Sequence, residues 1–343
     1  MGPDGKDFLI KALSTNSTKR GEHGGEHSEP EGEEARGNCH FHAGVEHCTG
    51  GSSVSGPSCA RINRNYNIPL RIGATFTILA TSSIAVFCPI FLKQFTKLST
   101  TSMTFTIIKQ FGTGVIIATA YVHLLTHAQL LFGSECVGDL GYESTATGIA
   151  MAGTFLSFLL EYLGTRFIAR RRGRYPIGTS PATSDKLSVA VMEMGIIFHS
   201  ILIGITLVVA GDSGFITLFI VIIFHQMFEG LALGARIASL PDDTKLLPKL
   251  LMAAAFAAIT PIGMAIGIGV RNEFNGNDKG TIIALATLDA LSAGVLVWVA
   301  LVEMWASDWL YGNLKNSGLR KTAFAMLALA SGMVLMGVLG KWA

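Results

Sequence analysis

Charge is scarce in this chain. Of its 343 residues 26 are Lys or Arg and 24 are Asp or Glu, or 15% in all, where soluble domains carry about a quarter. Half of the residues are hydrophobic and the mean hydropathy is +0.47. Too little polar surface remains to keep a folded domain of this size in water, so a bilayer is the implied solvent. The net charge of +2 offers no basic surface for nucleic acid. A cleaved signal peptide is not evident either, because Met1-Gly2-Pro3-Asp4-Gly5-Lys6 has no apolar core, and Lys6 stands where a myristoylation motif takes Ser or Thr. The first membrane span is therefore expected to act as the targeting element. Residues 1–68 are short of aliphatic side chains and rich in Gly, Ser, Glu and His, a composition that cannot bury enough apolar area to offset ordering. They are expected to form a disordered external tail.

What is abundant is apolar stretches of about 20 residues, the length that crosses a hydrocarbon layer of about 30 Å. They run roughly over 70–92, 105–131, 145–168, 187–210, 214–237, 247–270, 280–305 and 320–340. The fold class predicted is an all-α polytopic membrane protein with eight transmembrane helices over 69–343. The loops after the odd-numbered spans hold the basic residues, among them Lys93, Lys97, Arg170–Arg172, Lys245 and Lys321, with a basic loop over 169–186. The opposite loops and the C-terminus offer Arg271, Lys279 and Lys341, although Arg61, Arg64 and Arg71 flank the first span. The excess of Lys and Arg marks the cytoplasmic side, which places both termini outside the cell and the chain in the plasma membrane. Asn16-Ser17-Thr18, a glycosylation acceptor, agrees with an external tail. Pro261 predicts a kink in the sixth span.

Ionisable residues within hydrocarbon ask for a reason, since each charged one costs roughly 2.5–3.5 kcal/mol at mid-helix. The fourth span carries His199-Ser200 and the fifth carries His225-Gln226 with Glu229. His225 and Glu229 are spaced i, i+4, so an imidazole and a carboxylate share one helical face. Counted from opposite ends of two antiparallel spans, His199 and His225 both lie about 16–18 Å deep at 1.5 Å per residue. They meet at the midplane, where transporters hold their substrates. Each His is followed by a Gly five positions later, Gly204 and Gly230, and these with Gly234 allow close helix approach. Imidazoles and a carboxylate without a thiol suit zinc or ferrous iron. The constellation predicts a site for a divalent transition metal. It lacks the signatures of a membrane zinc hydrolase: no His-Glu-x-x-His occurs, and Gly211-Asp212-Ser213-Gly214 reads as a turn. A zinc-sensing receptor is the other competing class.

These residues resemble the ZIP family of metal transporters, whose fourth span typically carries His-Ser or His-Asn and whose fifth carries His-x-x-x-Glu-Gly. The likeness extends over all eight spans. It includes Gly114 to His123 in the second, Ala293 to Glu303 in the seventh and the basic loop after the third; Glu135 to Glu143 is similar to fungal zinc-uptake members. The resemblance implies a ZIP-like bundle that moves zinc into the cytoplasm by alternating access, with zinc as substrate and no cofactor. Carried over residue by residue, it implies His199, His225 and Glu229 as metal ligands, with Ser200 and Gln226 as supporting oxygens. Bacterial members that bind two metals have a carboxylate where this chain has Ile203, which argues for one central metal. His123 and His127, one turn apart, with Glu135, Asp139 and Glu143 beyond them, suggest an entrance. Glu303 matches an exit-side carboxylate; Glu193 and Glu161 lie at similar depth. The partners implied are a divalent cation, the lipid bilayer and, as an assembly, a homodimer.

The tail adds a second cluster. Cys39, His40, His42, His47 and Cys48 place five soft or borderline ligands within ten residues, which suggests external metal capture. Cys39, Cys48, Cys59 and Cys136 also fall on the oxidising side, where two disulfides could form with any of three connectivities. Cys88, beside Pro89 in the first span, is expected to pack inside.

Overall fold

The computed structural model describes residues 38–42, 45–49, 59–60, 66–96, 99–171, 181–241 and 244–341. Within these, eight helices are long and apolar enough to cross a membrane. They are α1 (Ile68–Thr96), α2 (Met103–Phe132), α3 (Thr145–Phe167), α4 (Leu187–Val209), α5 (Phe215–Ser239), α6 (Leu246–Val270), α7 (Lys279–Tyr311) and α8 (Leu319–Leu339). All eight expected spans are present, and α7 continues past its expected end at 305. The starts of two helices are written in their caps. The Ser102 side chain accepts from the Phe105 amide before α2, and Asp278 accepts from Thr281 before α7. The pattern did not reveal that α2 and α7 leave α-helical geometry, over Thr119–Leu125 and Val299–Tyr311, where the turns widen to π-helix. Such widened turns recur at functional sites, and the first contains His123. Pro261 lies inside α6, which runs unbroken from Leu246 to Val270.

Most of the tail lies outside the described residues, as do Asn16 and the loop over 172–180. Two short strands, β1 (Asn38–His42) and β2 (Val45–Thr49), pair antiparallel with Cys39 opposite Cys48 and His40 opposite His47. The side chains of this hairpin are outside the described residues. Cys59 and Cys136 form a disulfide, which joins the chain ahead of α1 to the loop between α2 and α3. Cys88 departs from expectation. It is free and exposed, on a face that the bilayer covers, because at its position α1 turns the flanking Val86 and Pro89 inward instead.

Glycine sets the packing, since lipid gives apolar helices little reason to prefer one another over solvent and close backbone approach must supply the preference. A methyl added to Gly114 would lie 2.0 Å from the Leu329 carbonyl oxygen, and one on Gly332 would lie 2.2 Å from that of Phe111. These reciprocal contacts lock α2 to α8. Gly153 and Gly294 join α3 to α7 in the same way, and Gly204 and Gly263 join α4 to α6. Gly234 rests against the Val86 carbonyl and joins α5 to α1. Thus Gly204 and Gly230, which follow the two site histidines, seat their helices against other partners rather than against each other.

The two ends of the bundle differ in chemistry. At one, Lys93 donates to the Ala238 carbonyl at 3.0 Å, Lys249 to that of Leu240 at 3.0 Å and Lys321 to that of Thr101 at 2.7 Å. At the other, Arg71 is fully buried and serves structure. It donates to the Val208 carbonyl at 2.8 Å, to that of Ala210 at 2.5 Å and to Asp212 at 2.5 Å, with its guanidinium over the Phe215 ring. Arg71 therefore caps the last turn of α4 and is no free charge on that side.

Candidate metal centre

Three helices bring imidazoles to one point. His123 from the widened turn of α2, His199 from α4 and His225 from α5 are all buried, and each offers a nitrogen within 4.8 Å of the others. Their ring centroids are 5.1–5.5 Å apart. His199 and His225 converge as their depths required. His123, expected with His127 at an entrance, stands beside the two central histidines. It joins the central group from within the π-helical turn of α2.

Glu229 is fully buried and its Oε1 lies 3.2 Å from His225 Nε2. It reaches the group through His225. Ser200 is also fully buried, and its hydroxyl has no hydrogen-bond partner among the described residues. Gln226 donates through Nε2 to the Thr260 hydroxyl, leaving Oε1 without a partner among the described residues. The same holds for both ring nitrogens of His199. Buried polar groups are almost always paired. Such a concentration of unsatisfied polar atoms beside three imidazoles has the chemistry to hold a cation.

A cavity of about 30 Å³, room for an ion or one or two waters, lies against this group. It is lined by His123, His127, His199, His225 and Asp289, and by apolar residues that include Ile203. His127 stacks parallel on His123 with centroids 6.1 Å apart, and its Nδ1 lies 2.6 Å from Asp289 Oδ2. Asp289 was not anticipated, although the argument that singled out the histidines applies equally to an aspartate in the middle of an apolar span. It is 3% exposed.

Towards the basic end a second cavity of about 120 Å³ is lined by Ser188, Glu303, Lys109, Arg236, Ser307 and Asp308 among others. Glu303 accepts from the Ser188 hydroxyl at 2.8 Å. Glu161 is buried, accepts from Trp298 Nε1 at 2.7 Å and shares the single Ser188 hydroxyl proton with Glu303. Glu193 is buried, with Oε1 lacking a partner among the described residues. Asp308, beyond the expected end of the seventh span, gathers Lys109, Gln110 and Arg236 at 2.6–2.9 Å. Met192, Ile196, Leu296, Val299 and Ala300 belong to one apolar core, and of these Met192 and Val299 also line the second cavity.

The family profile described as ZIP Zinc transporter matches residues 68–186 and 176–340. The chain is 55% identical over 318 residues to zinc-regulated transporter 1 of Candida albicans, covering 89% of this chain and 68% of that protein. It is 30% identical to zinc-regulated transporter 2 of Saccharomyces cerevisiae, covering 81% and 95%. It is also 30% identical to Fe(2+) transport protein 1 of Arabidopsis thaliana, covering 82% and 88%. With eight membrane-length helices, a matching profile along nearly all of them and relatives at these identities, the chain belongs to the ZIP zinc transporter family.

Proposed function

We propose that this protein carries zinc, and ferrous iron less selectively, inward across the plasma membrane by alternating access, with the ion held at mid-depth by His199, His225, Glu229 and His123. The observation that carries this reading is three buried imidazoles from three helices around one ion-sized cavity, with unsatisfied lone pairs beside them. The names of the relatives, zinc-regulated and Fe(2+) transporters, support the two substrates, and none of those quoted is named for hydrolysis or sensing. Nitrogen ligands with a carboxylate suit both ions, and Ser200 and Gln226 supply neutral oxygens.

His127 and the acidic loop beyond it form the entrance, and Glu303 in the second cavity receives the ion on the cytoplasmic side. Both termini lie outside the cell, as the basic residues require. The glycine-locked pairs α1/α5, α4/α6, α2/α8 and α3/α7 provide rigid units, and the imidazole group sits where α2 faces α4 and α5. Motion of one set of pairs against the other would carry the site from one cavity towards the other. In the tail, the hairpin register sets His40 opposite His47 and Cys39 opposite Cys48. On this reading Cys39, His40, His42, His47 and Cys48 collect metal outside the membrane.

The test is labelled zinc uptake into proteoliposomes. Saturable uptake, competed by ferrous iron and lost in His199→Ala and Glu229→Ala at normal protein content, is expected. Turnover of lipid or peptide substrates without uptake would end the transport reading, and flux that never saturates would end alternating access.

A further inference from the structure

We infer that Asp289 is a positioning residue for the metal path: its single carboxylate orients His127 and His199 together, so that each presents Nε2 as a ligand. This rests on the reading of His199 as a metal ligand.

The geometry begins with the two oxygens of one buried side chain. Oδ2 lies 2.6 Å from His127 Nδ1, and Oδ1 lies 3.6 Å from His199 Nδ1. A carboxylate only accepts, so the proton of a neutral His127 sits on Nδ1 and the lone pair on Nε2. That Nε2 is buried without a hydrogen-bond partner among the described residues, on a ring that lines the central cavity. His199 has no hydrogen bond at either nitrogen among the described residues. Its 3.6 Å contact is too long to be one, but shortening by roughly 0.7 Å brings it to bonding distance. In that position Nδ1–H points to Asp289 and Nε2 is left for the metal.

A carboxylate behind a ligating imidazole fixes the tautomer and raises ligand basicity, and such outer partners are worth about 10–100-fold in metal affinity. Here one carboxylate from α7 serves imidazoles from two other helices, α2 and α4. His127 lies one turn from His123 on α2, stacked upon it. Asp289 therefore sets the outer imidazole and the central one in a common orientation, and an ion at His127 meets the central group with its next ligands already turned towards it.

Asp289→Asn is the informative change because it preserves volume while halving the acceptors. The amide can accept from one imidazole but must donate to the other, which drives that ring to the tautomer with its proton on Nε2 and removes it as a ligand. Expected in proteoliposomes is a rise of about 10–100-fold in the zinc concentration for half-maximal uptake, at a protein content within about twofold of wild type. An unchanged half-saturation value overturns the proposal. A second measurement does not depend on any variant folding. Nitrogen NMR of imidazoles in the purified, metal-free full chain is expected to show His127 and His199 protonated on Nδ1, and either ring protonated on Nε2 overturns the assignment. His199→Ala separates the two levels of the argument. If it transports normally, the central site itself is misread; if it is inactive while Asp289→Asn matches wild type, only the role of Asp289 fails.

Discussion

Replacing Asp308 by Ala is expected to destabilise the protein more than replacing either of the cations it binds. Lys109 Nζ lies 2.6 Å from one oxygen and Arg236 Nη2 2.9 Å from the other, while Gln110 donates to the second at 2.9 Å. The side chains of Asp308 and Arg236 are 13% and 10% exposed and that of Lys109 is 21% exposed. At an effective dielectric constant of about 20 each ion pair contributes roughly 6 kcal/mol of attraction, most of it offset by desolvation. Removing the shared anion leaves two largely buried cations facing each other, and breaking a buried pair in this way costs about 3–5 kcal/mol. The partial exposure of Lys109 favours the lower end. About 3 kcal/mol corresponds to a melting temperature lower by roughly 4 °C for a protein of this size. Arg236→Gln leaves Asp308 paired with Lys109, so its loss should be smaller, and the double variant should fall short of the sum of the two single losses. Fluorescence-detected melting of the purified, detergent-solubilised chain reads all three. An Asp308→Ala protein that melts with the wild type, or strict additivity in the cycle, would refute the claim that one carboxylate neutralises both cations.

Three further outcomes follow from the geometry. His123→Ala should weaken zinc binding to the purified protein at least about tenfold, as should His199→Ala; calorimetry that finds binding intact and only uptake slowed would return His123 to the entrance. Gly332→Ala should cost about 1–3 kcal/mol by overpacking against the Phe111 carbonyl, whereas Gly337→Ala, on the same helix with nothing within 4 Å of the added methyl, should melt like wild type. The Arg71 hydrogen bond holds the Asp212 carboxyl below its ordinary value, so the pair's contribution is present above the unfolded-state value and is lost as pH falls through the lower folded-state one. Melting temperature should therefore depend more steeply on pH below about 4 in wild type than in Asp212→Asn, and equal slopes would show that the contact contributes nothing.

The architecture was legible because a bilayer imposes one rule on every span: backbone groups must be satisfied internally over about 20 residues. Eight apolar stretches met that rule, and the helices fall within a few residues of them. His199, His225 and Glu229 were legible for the same reason in reverse, being costly where they stand and repeating at helical spacing. The position of His123 was not. It lies within a π-helical turn, and nothing in Thr-Ala-Tyr-Val-His-Leu-Leu announces one. The disulfide partner of Cys59 was equally closed to inspection, since spacing alone permits several pairings.

Asp289 and Asp308 show a different limit. Asp289 is as costly in an apolar span as the histidines and Asp308 lies just past the expected end of the same one, yet neither has a second ionisable residue at i+4 or a motif around it, so each looks like an isolated acid whose purpose depends on what other helices bring. Asp289 meets an imidazole 162 residues earlier in the chain, and Asp308 meets cations 72 and 199 residues away. Both belong to α7, which glycine holds tightly against α3, so a shift of α4 or α5 relative to α7 must break the contact of Asp289 with His199 or that of Asp308 with Arg236. The two aspartates line different cavities. One faces the imidazoles and the other faces Arg236, so α7 is the helix against which movement of the metal-bearing helices would be registered at both ends. A disulfide engineered between α7 and α5 at the Asp308 level should then abolish uptake while leaving zinc binding at the imidazoles intact. Uptake that survives the crosslink would show that these helices need not part for the ion to pass.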